Sequence, residues 1–344
     1  IALVGLCMNG KEYNGTFDWT LTYNQICAIL AVPAGIMVPI SWFLVKEDRI
    51  SATGSDNEDG VLNGQMDGPK SFRQYLSQCW DLLSSKAFFY IVLFNFFEPF
   101  VGRISTTAGG YVKSEWAGVQ SIQNQMFSLV STMIFAFGLY QVKKHFLNCS
   151  WRKMLFFTTV FLNVTDMIIA YVTIYDIVRN QYFYLGEQIL DEIPAAANFV
   201  VGTYIIVEMA DVGNEGLTYG LLTTISNLGT PFARAVGNQI FGAFKQNLSD
   251  RQNYVEDTPG FRNAVALSFG LSYGFSFLAL IFLLLLPNQK AEAQERKATW
   301  GRSPTYAYIT CGLLFVALTY SLSVNFLAMF PSTMCLKFAG GQGC

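Results

Sequence analysis

The run Asn263–Pro287 reads NAVALSFGLSYGFSFLALIFLLLLP, without one acid or base. A helix of about 25 residues rises some 37 Å, enough to cross the roughly 30 Å hydrocarbon core of a bilayer. Reading outward, seven more apolar stretches recur at 24–46, 87–106, 118–140, 154–175, 192–210, 217–244 and 305–330. Together the eight cover over half of the 344 residues. Composition agrees: 52% of residues are hydrophobic and 13% charged, against roughly 25% charged in a soluble domain. The expected fold class is an all-α integral membrane protein with eight full transmembrane helices. Ile1–Met8 reads as the tail of an earlier helix, so the chain is expected to be N-terminally truncated.

This reading excludes several functions. A soluble enzyme could not keep so much apolar surface from water, and an outer-membrane barrel shows short alternating segments instead. A net charge of -2 leaves no electrostatic footprint for nucleic acid. One histidine, His145, and no CxxC pair leave little for zinc. Dinucleotide, Walker, HExxH and GxSxG signatures are absent. Neither an enzyme nor an ATP-driven pump is expected, and no cofactor.

Basic residues concentrate in cytoplasmic loops. Alternate loops favour the 47–86 loop inside by about two to one. The Asn14 sequon then lies outside as a glycosylation candidate, as does the Asn247 sequon beside a span. The tail outside holds Cys335 and Cys344, either a disulfide or two thiols. Residues 47–70 are acidic and glycine-rich, a composition that stays disordered. Phe72, Tyr75, Leu76, Cys79 and Leu83 follow at helical spacing, as in a helix lying on the membrane surface.

Ionisable groups inside a bilayer are costly and tend to face a cavity or a partner. Here they are Glu98, Arg103, Asp166, Glu208 and Arg234. Pro99 breaks the backbone ladder beside Asn95 and Glu98. Broken helices expose backbone groups at transporter midplanes, making Asn95 and Glu98 candidate substrate contacts; the alternative is a kink with Glu98 paired to Arg103. Asp166, mid-span, is a candidate for proton coupling, as is Glu98; the alternative for Asp166 is a static pair with Arg234. The planar fork of Arg234 matches a carboxylate or phosphate. It is a candidate substrate contact, or else a helix–helix ion pair or a snorkelling side chain. Gly229, Gly237, Gly242 and Pro231 are expected to let its helix bend. Gly270 and Gly274 are expected to allow close helix approach.

The segment Val207–Asn227 combines a short acidic, glycine-containing turn with a helix opening Glu215-Gly216-Leu-Thr-Tyr219-Gly-Leu-Leu222, then Ser226-Asn227. This resembles the signature between the tenth and eleventh helices of the folate-biopterin transporter family, a branch of the major facilitator superfamily. Leu217 precedes Thr218, Gly220 stands where the family often has alanine, and Met209-Ala210 replaces its Cys-Pro. The resemblance makes 24–46 helix six and 87–287 a C-terminal six-helix bundle. Residues 1–46 then end the N-terminal bundle and 47–86 form the cytoplasmic central loop. Residues 288–344 add a linker, an extra span at 305–330 and an external tail.

The resemblance implies a secondary transporter of folate- or pterin-like organic anions, a symporter with protons in the plasma membrane or an organelle membrane. It carries over Gly213, Glu215, Gly216, Ser226 and Asn227 as a cytoplasmic gate motif, with Glu208 and Asp211 as gate partners. Glu215 either gates or caps its helix. Partners are then the lipid bilayer, a small organic anion and a coupling proton, with no nucleic acid. The alternatives are a facilitator for another solute and a non-transporting scaffold.

Overall fold

A computed structural model describes residues 7, 10–11, 17–44, 72–210, 215–339, 341 and 343. The chain divides into two units, 1–76 and 77–344. The first contains α1 (Tyr23–Leu44), with Pro33 and Pro39 inside it. A reciprocal capping box starts this helix: Thr22 N–H donates to Gln25 Oε1 (2.9 Å), and Gln25 N–H donates to Thr22 Oγ1 (3.4 Å). The surface helix expected after the central loop forms as α2 (Phe72–Leu83). The expected disorder at 47–70 lies outside the described residues.

The second unit is a helical bundle. Its elements are α3 (Lys86–Gly102), α4 (Ser121–His145), α5 (Trp151–Ile174), α6 (Gln181–Leu190), α7 (Glu192–Met209) and α8 (Glu215–Gly242). Then come the short α9 (Arg251–Glu256), α10 (Pro259–Ala279) with a tighter turn over Leu280–Leu285, α11 (Lys290–Thr299) and α12 (Pro304–Met329). Side chains start several of them. Asn180 accepts from Tyr182 and Phe183 N–H, Thr258 from Phe261 N–H, and Ser303 from Thr305 N–H. Pro259 and Pro304 follow two of these caps, where a missing N–H costs nothing.

All eight expected spans are helical, but six described stretches are long and apolar enough to cross a membrane: 23–41, 121–145, 151–174, 181–209, 259–285 and 304–329. α3, at 17 residues, covers only about 26 Å. α8 has 28 residues, but threonines, asparagines, glutamine and Arg234 make it too polar. Among the described residues, length and composition thus mark six spans, and α3 and α8 are helices that fall short of that measure. A second difference is α6: residues 176–191 fall between two expected spans, yet Gln181–Met209 forms a nearly continuous apolar stretch.

α4 packs on α7, α7 on α5, α10 on α3 and α5, and α8 on α3 and α12. Two cores stack along the bundle. One joins Phe88, Val92 and Phe96 to Ile205, Leu222 and Leu286; the other joins Ile104, Trp116 and Ile174 to Phe241, Tyr254 and Phe261. Gly229 allows the α3–α8 contact: a Cβ there would stand 3.0 Å from Phe96 O and 3.1 Å from Pro99 Cγ. Its role is close packing against Pro99 of α3, a helix that runs unbroken through the proline. Gly270 makes room for the Tyr171 hydroxyl, 2.9 Å from its would-be Cβ, whereas Gly274 opens on space.

Polar staples hold both ends. Asp257 Oδ2 accepts from Arg179 and Arg262, each at 2.6 Å, and the Arg179 guanidinium lies 4.7 Å over the Trp116 ring. Partial burial raises the Asp257 carboxyl, but hydrogen bonds and charge from Arg262 and Arg179 outweigh it and hold the group below its ordinary range. At the other end Glu292 pairs with Arg296 (2.5 Å) and accepts from Asn288 N–H (2.7 Å). Burial raises this carboxyl, and Asn288 and Arg296 more than reverse it. Lys86 N–H donates to Gly301 O (3.2 Å) and Ser303 N–H to Ser84 O (2.9 Å), tying the start of α12 to the start of α3.

Candidate functional site

The exposed faces of the helices differ in kind. α4 exposes Met126, Met133 and Phe137; α5 exposes Phe157, Phe161 and Ile168; α10 exposes Leu267, Leu278 and Leu284; α12 exposes Phe315, Val316 and Phe326. Such faces suit lipid tails. α8 exposes Gly216, Gly220, Thr224, Asn227, Arg234 and Asn238 along one stripe, with Tyr219 its one large apolar exposed residue. Amide, hydroxyl and guanidinium groups in hydrocarbon cost several kcal/mol each. The α8 stripe therefore belongs against a water-filled cavity or polar partners.

Arg234 lies on that stripe between buried Ala233 and Ala235. Arg103, just past the end of α3, reaches across: its Nη1 donates to Thr230 Oγ1 at 2.5 Å. Among the described residues neither guanidinium closes an ion pair with a carboxylate. Neither the Glu98–Arg103 pair nor the Asp166–Arg234 pair forms, although Glu98 feels the charge of Arg103. Glu98 is half-buried, with Oε1 4.0 Å from a would-be Cβ on Gly102; that same Cβ would lie 3.3 Å from Ala279 of α10. Pro99, next along the helix, packs against Gly229 of α8. Asn95 Nδ2 is buried without a hydrogen-bond partner, an open donor one turn from the proline.

Asp166 belongs to a separate polar centre. Tyr273 of α10 donates to its Oδ2 at 3.0 Å, and the Glu187 carboxyl of α6 stands close enough to feel its charge. Tyr184 stands close enough to feel both acids. Asp191 closes α6 with a buried, unpartnered Oδ1. Lys113 donates to Asn124 Oδ1 (2.7 Å), which also accepts from Gln188 Nε2 (3.3 Å). Burial lowers the Lys113 ammonium from its ordinary range, partly offset by Glu187. Sequence reasoning missed Glu187 and Asp191 because they fall between two expected spans. The Asn180 cap ahead of Tyr182, Leu185 and Ile189 was the signal that could have found them.

Glu208, at the end of α7, is held by α11: Lys290 Nζ lies 2.7 Å from Oε1, and Gln294 Nε2 donates to Oε2 at 3.0 Å. Lys297 donates to Ala210 O (2.8 Å), where a cation suits a helix C-terminus. Glu215 and Gly216 open α8 exposed, Ser226 is half-buried and Asn227 is exposed. Asp211, Gly213 and Asn14 lie outside the described residues. Cys335 is disulfide-bonded; Cys344 lies outside the described residues. Among those residues no group of histidine, cysteine and acidic side chains is arranged to hold a metal ion.

The BT1 family, the folate-biopterin transporters, matches residues 3–301, most of the chain. No curated protein and no solved structure matches it. With its apolar helices and the match across most of its length, the chain belongs to the BT1 family of membrane transporters.

Proposed function

We propose that this chain carries folate- or pterin-like organic anions by alternating access, as a proton symporter built on the major-facilitator plan. In that plan α1 ends the N-terminal half and residues 47–86 form the cytoplasmic loop. Helices α3 to α10 make the C-terminal bundle, and α12 is an addition packed on α8 and α3. The observation that carries the proposal is the polar stripe of α8, which places one guanidinium among amides and hydroxyls on a bilayer-length helix. Arg234 contacts a substrate carboxylate, and the open Asn95 donor with Glu98 adds contacts beside Pro99 of α3. Asp166, with Tyr273 donating to it and Glu187 beside it, carries the coupling proton. The Glu208–Lys290 pair and the turn into Glu215 and Gly216 form the cytoplasmic gate. The plasma membrane is its first expected location, an organelle membrane its second.

The test is uptake of labelled folate and biopterin by cells lacking their own carrier, at external pH of about 5.5 and about 7.5, with surface expression confirmed. Protonation of a coupling carboxyl favours the acid side. Saturable uptake that rises at acid pH supports the proposal. Its absence from a correctly placed protein removes the folate assignment and leaves a carrier for another solute or a scaffold.

A further inference from the structure

Two guanidiniums, not one, stand on the α8 stripe. Arg103 is anchored there by Thr230, and Thr230 precedes Arg234 by one helical turn on the same face. Helical side chains tend to lean toward the N-terminus, which favours an Arg234 rotamer directed at Thr230. Both arginines are exposed, and among the described residues no acid pairs with either within ion-pair distance. Glu98, the acid nearest in sequence to Arg103, feels its charge without closing an ion pair with it. Two guanidiniums brought to neighbouring positions on one helix face repel, the more so where water is scarce. The arrangement is relieved by an anion that spans both heads.

We infer that Arg103 and Arg234 form a two-pronged clamp for a substrate with two carboxylates, so that the carrier selects doubly over singly charged ligands. Each fork matches one carboxylate with two parallel hydrogen bonds. Asn227 and Asn238, one to two turns either side, supply neutral donors along the same stripe. The inference rests on Arg234 being a substrate contact. It adds Arg103 as a second binding residue and makes Thr230 its positioning residue.

The test uses the chain in lipid nanodiscs with three ligands: folate with two carboxylates, pteroate with one, and biopterin with none. Affinities are measured for wild type, Arg103→Gln, Arg234→Gln, Arg103→Lys and Thr230→Val, with monodispersity and helix content as folding checks. Loss of one charge-assisted contact weakens folate by about 10- to 100-fold in each Gln variant. Biopterin affinity stays within about twofold of wild type, and the preference for folate over pteroate collapses. Arg103→Lys recovers part of the loss, and Thr230→Val shows a smaller loss of the same selectivity. Equal weakening of folate and biopterin, or unchanged folate affinity in Arg103→Gln, overturns the clamp. If wild type binds none of the three, the folate assignment fails. Protection against thermal unfolding by glutarate over butyrate then tests the clamp alone: protection lost in Arg103→Gln upholds it, and none in wild type refutes it.

Discussion

Gly229→Ala is the substitution whose effect the geometry defines most closely. The new Cβ would stand 3.0 Å from Phe96 O, 3.1 Å from Pro99 Cγ and 3.3 Å from Phe100 N. Two of these three neighbours are backbone, so the strain is relieved only by moving α8 from α3. Alanine gains about 1 kcal/mol of helix propensity over glycine, while overpacking costs about 1–3 kcal/mol. Gly220 on the same helix is the control, because nothing lies within 4 Å of its would-be Cβ. Both variants receive the propensity gain, so their difference reports the contact alone, about 1–3 kcal/mol in favour of Gly220→Ala. At roughly 2–4 °C per kcal/mol for domains of a couple of hundred residues, thermal unfolding in detergent resolves it. Because Thr230 follows Gly229 directly, the same shift lengthens the Arg103–Thr230 bond and weakens substrate affinity. Equal unfolding temperatures for the two variants refute the close α3–α8 packing.

Three further outcomes are expected. Asp257→Asn removes the charge between Arg179 and Arg262 but suits the left-handed φ of 49° at that position; about 1–3 kcal/mol is lost at neutral pH. The folded carboxyl is depressed, so its contribution is present above the unfolded value of about 4 and fades as pH falls through the folded value. Denaturation from pH 7 to 3 should show wild type and variant converging only at the acid end. Tyr273→Phe deletes the 3.0 Å hydrogen bond to Asp166; the pH profile of uptake should shift while substrate affinity at the optimum changes less than about threefold, and an unshifted profile dismisses Asp166 as the proton carrier. Lys290→Gln breaks the 2.7 Å pair with Glu208; inner-face thiol accessibility should rise, and an unchanged pattern removes this pair from the gate.

How much was legible depended on range along the chain. The spans at 154–175 and 263–287 appear within a few residues as α5 and α10 because long apolar runs admit little else in a bilayer. α6 is hard to see in the sequence because Gln181, Glu187, Gln188 and Asp191 interrupt its apolar pattern, while the polarity of Glu187 and Gln188 serves an internal centre. The polar stripe of α8 was present as a three-to-four-residue spacing from Gly216 to Asn238, but only packing shows that its other face is buried. Asp166 and Arg103 were recognisable as intramembrane charges. Their partners were not: Tyr273 lies 107 residues from Asp166, and Thr230 lies 127 from Arg103. Contacts at that separation follow from helix packing, which one sequence does not print.

The central claim is that α8 lines the substrate route. Single cysteines at Thr224, Asn227 and Asn238, with Leu271 and Leu278 of α10 as lipid-facing controls, would replace the native thiols outside disulfides at Cys7, Cys27, Cys79, Cys149 and Cys311. Labelling with a membrane-impermeant, water-soluble thiol reagent is then followed with and without folate. The account predicts labelling at the α8 positions, protection by folate strongest near Arg234, and no labelling of the α10 controls. Unlabelled α8 positions, or labelling that matches the lipid-facing controls, would contradict it.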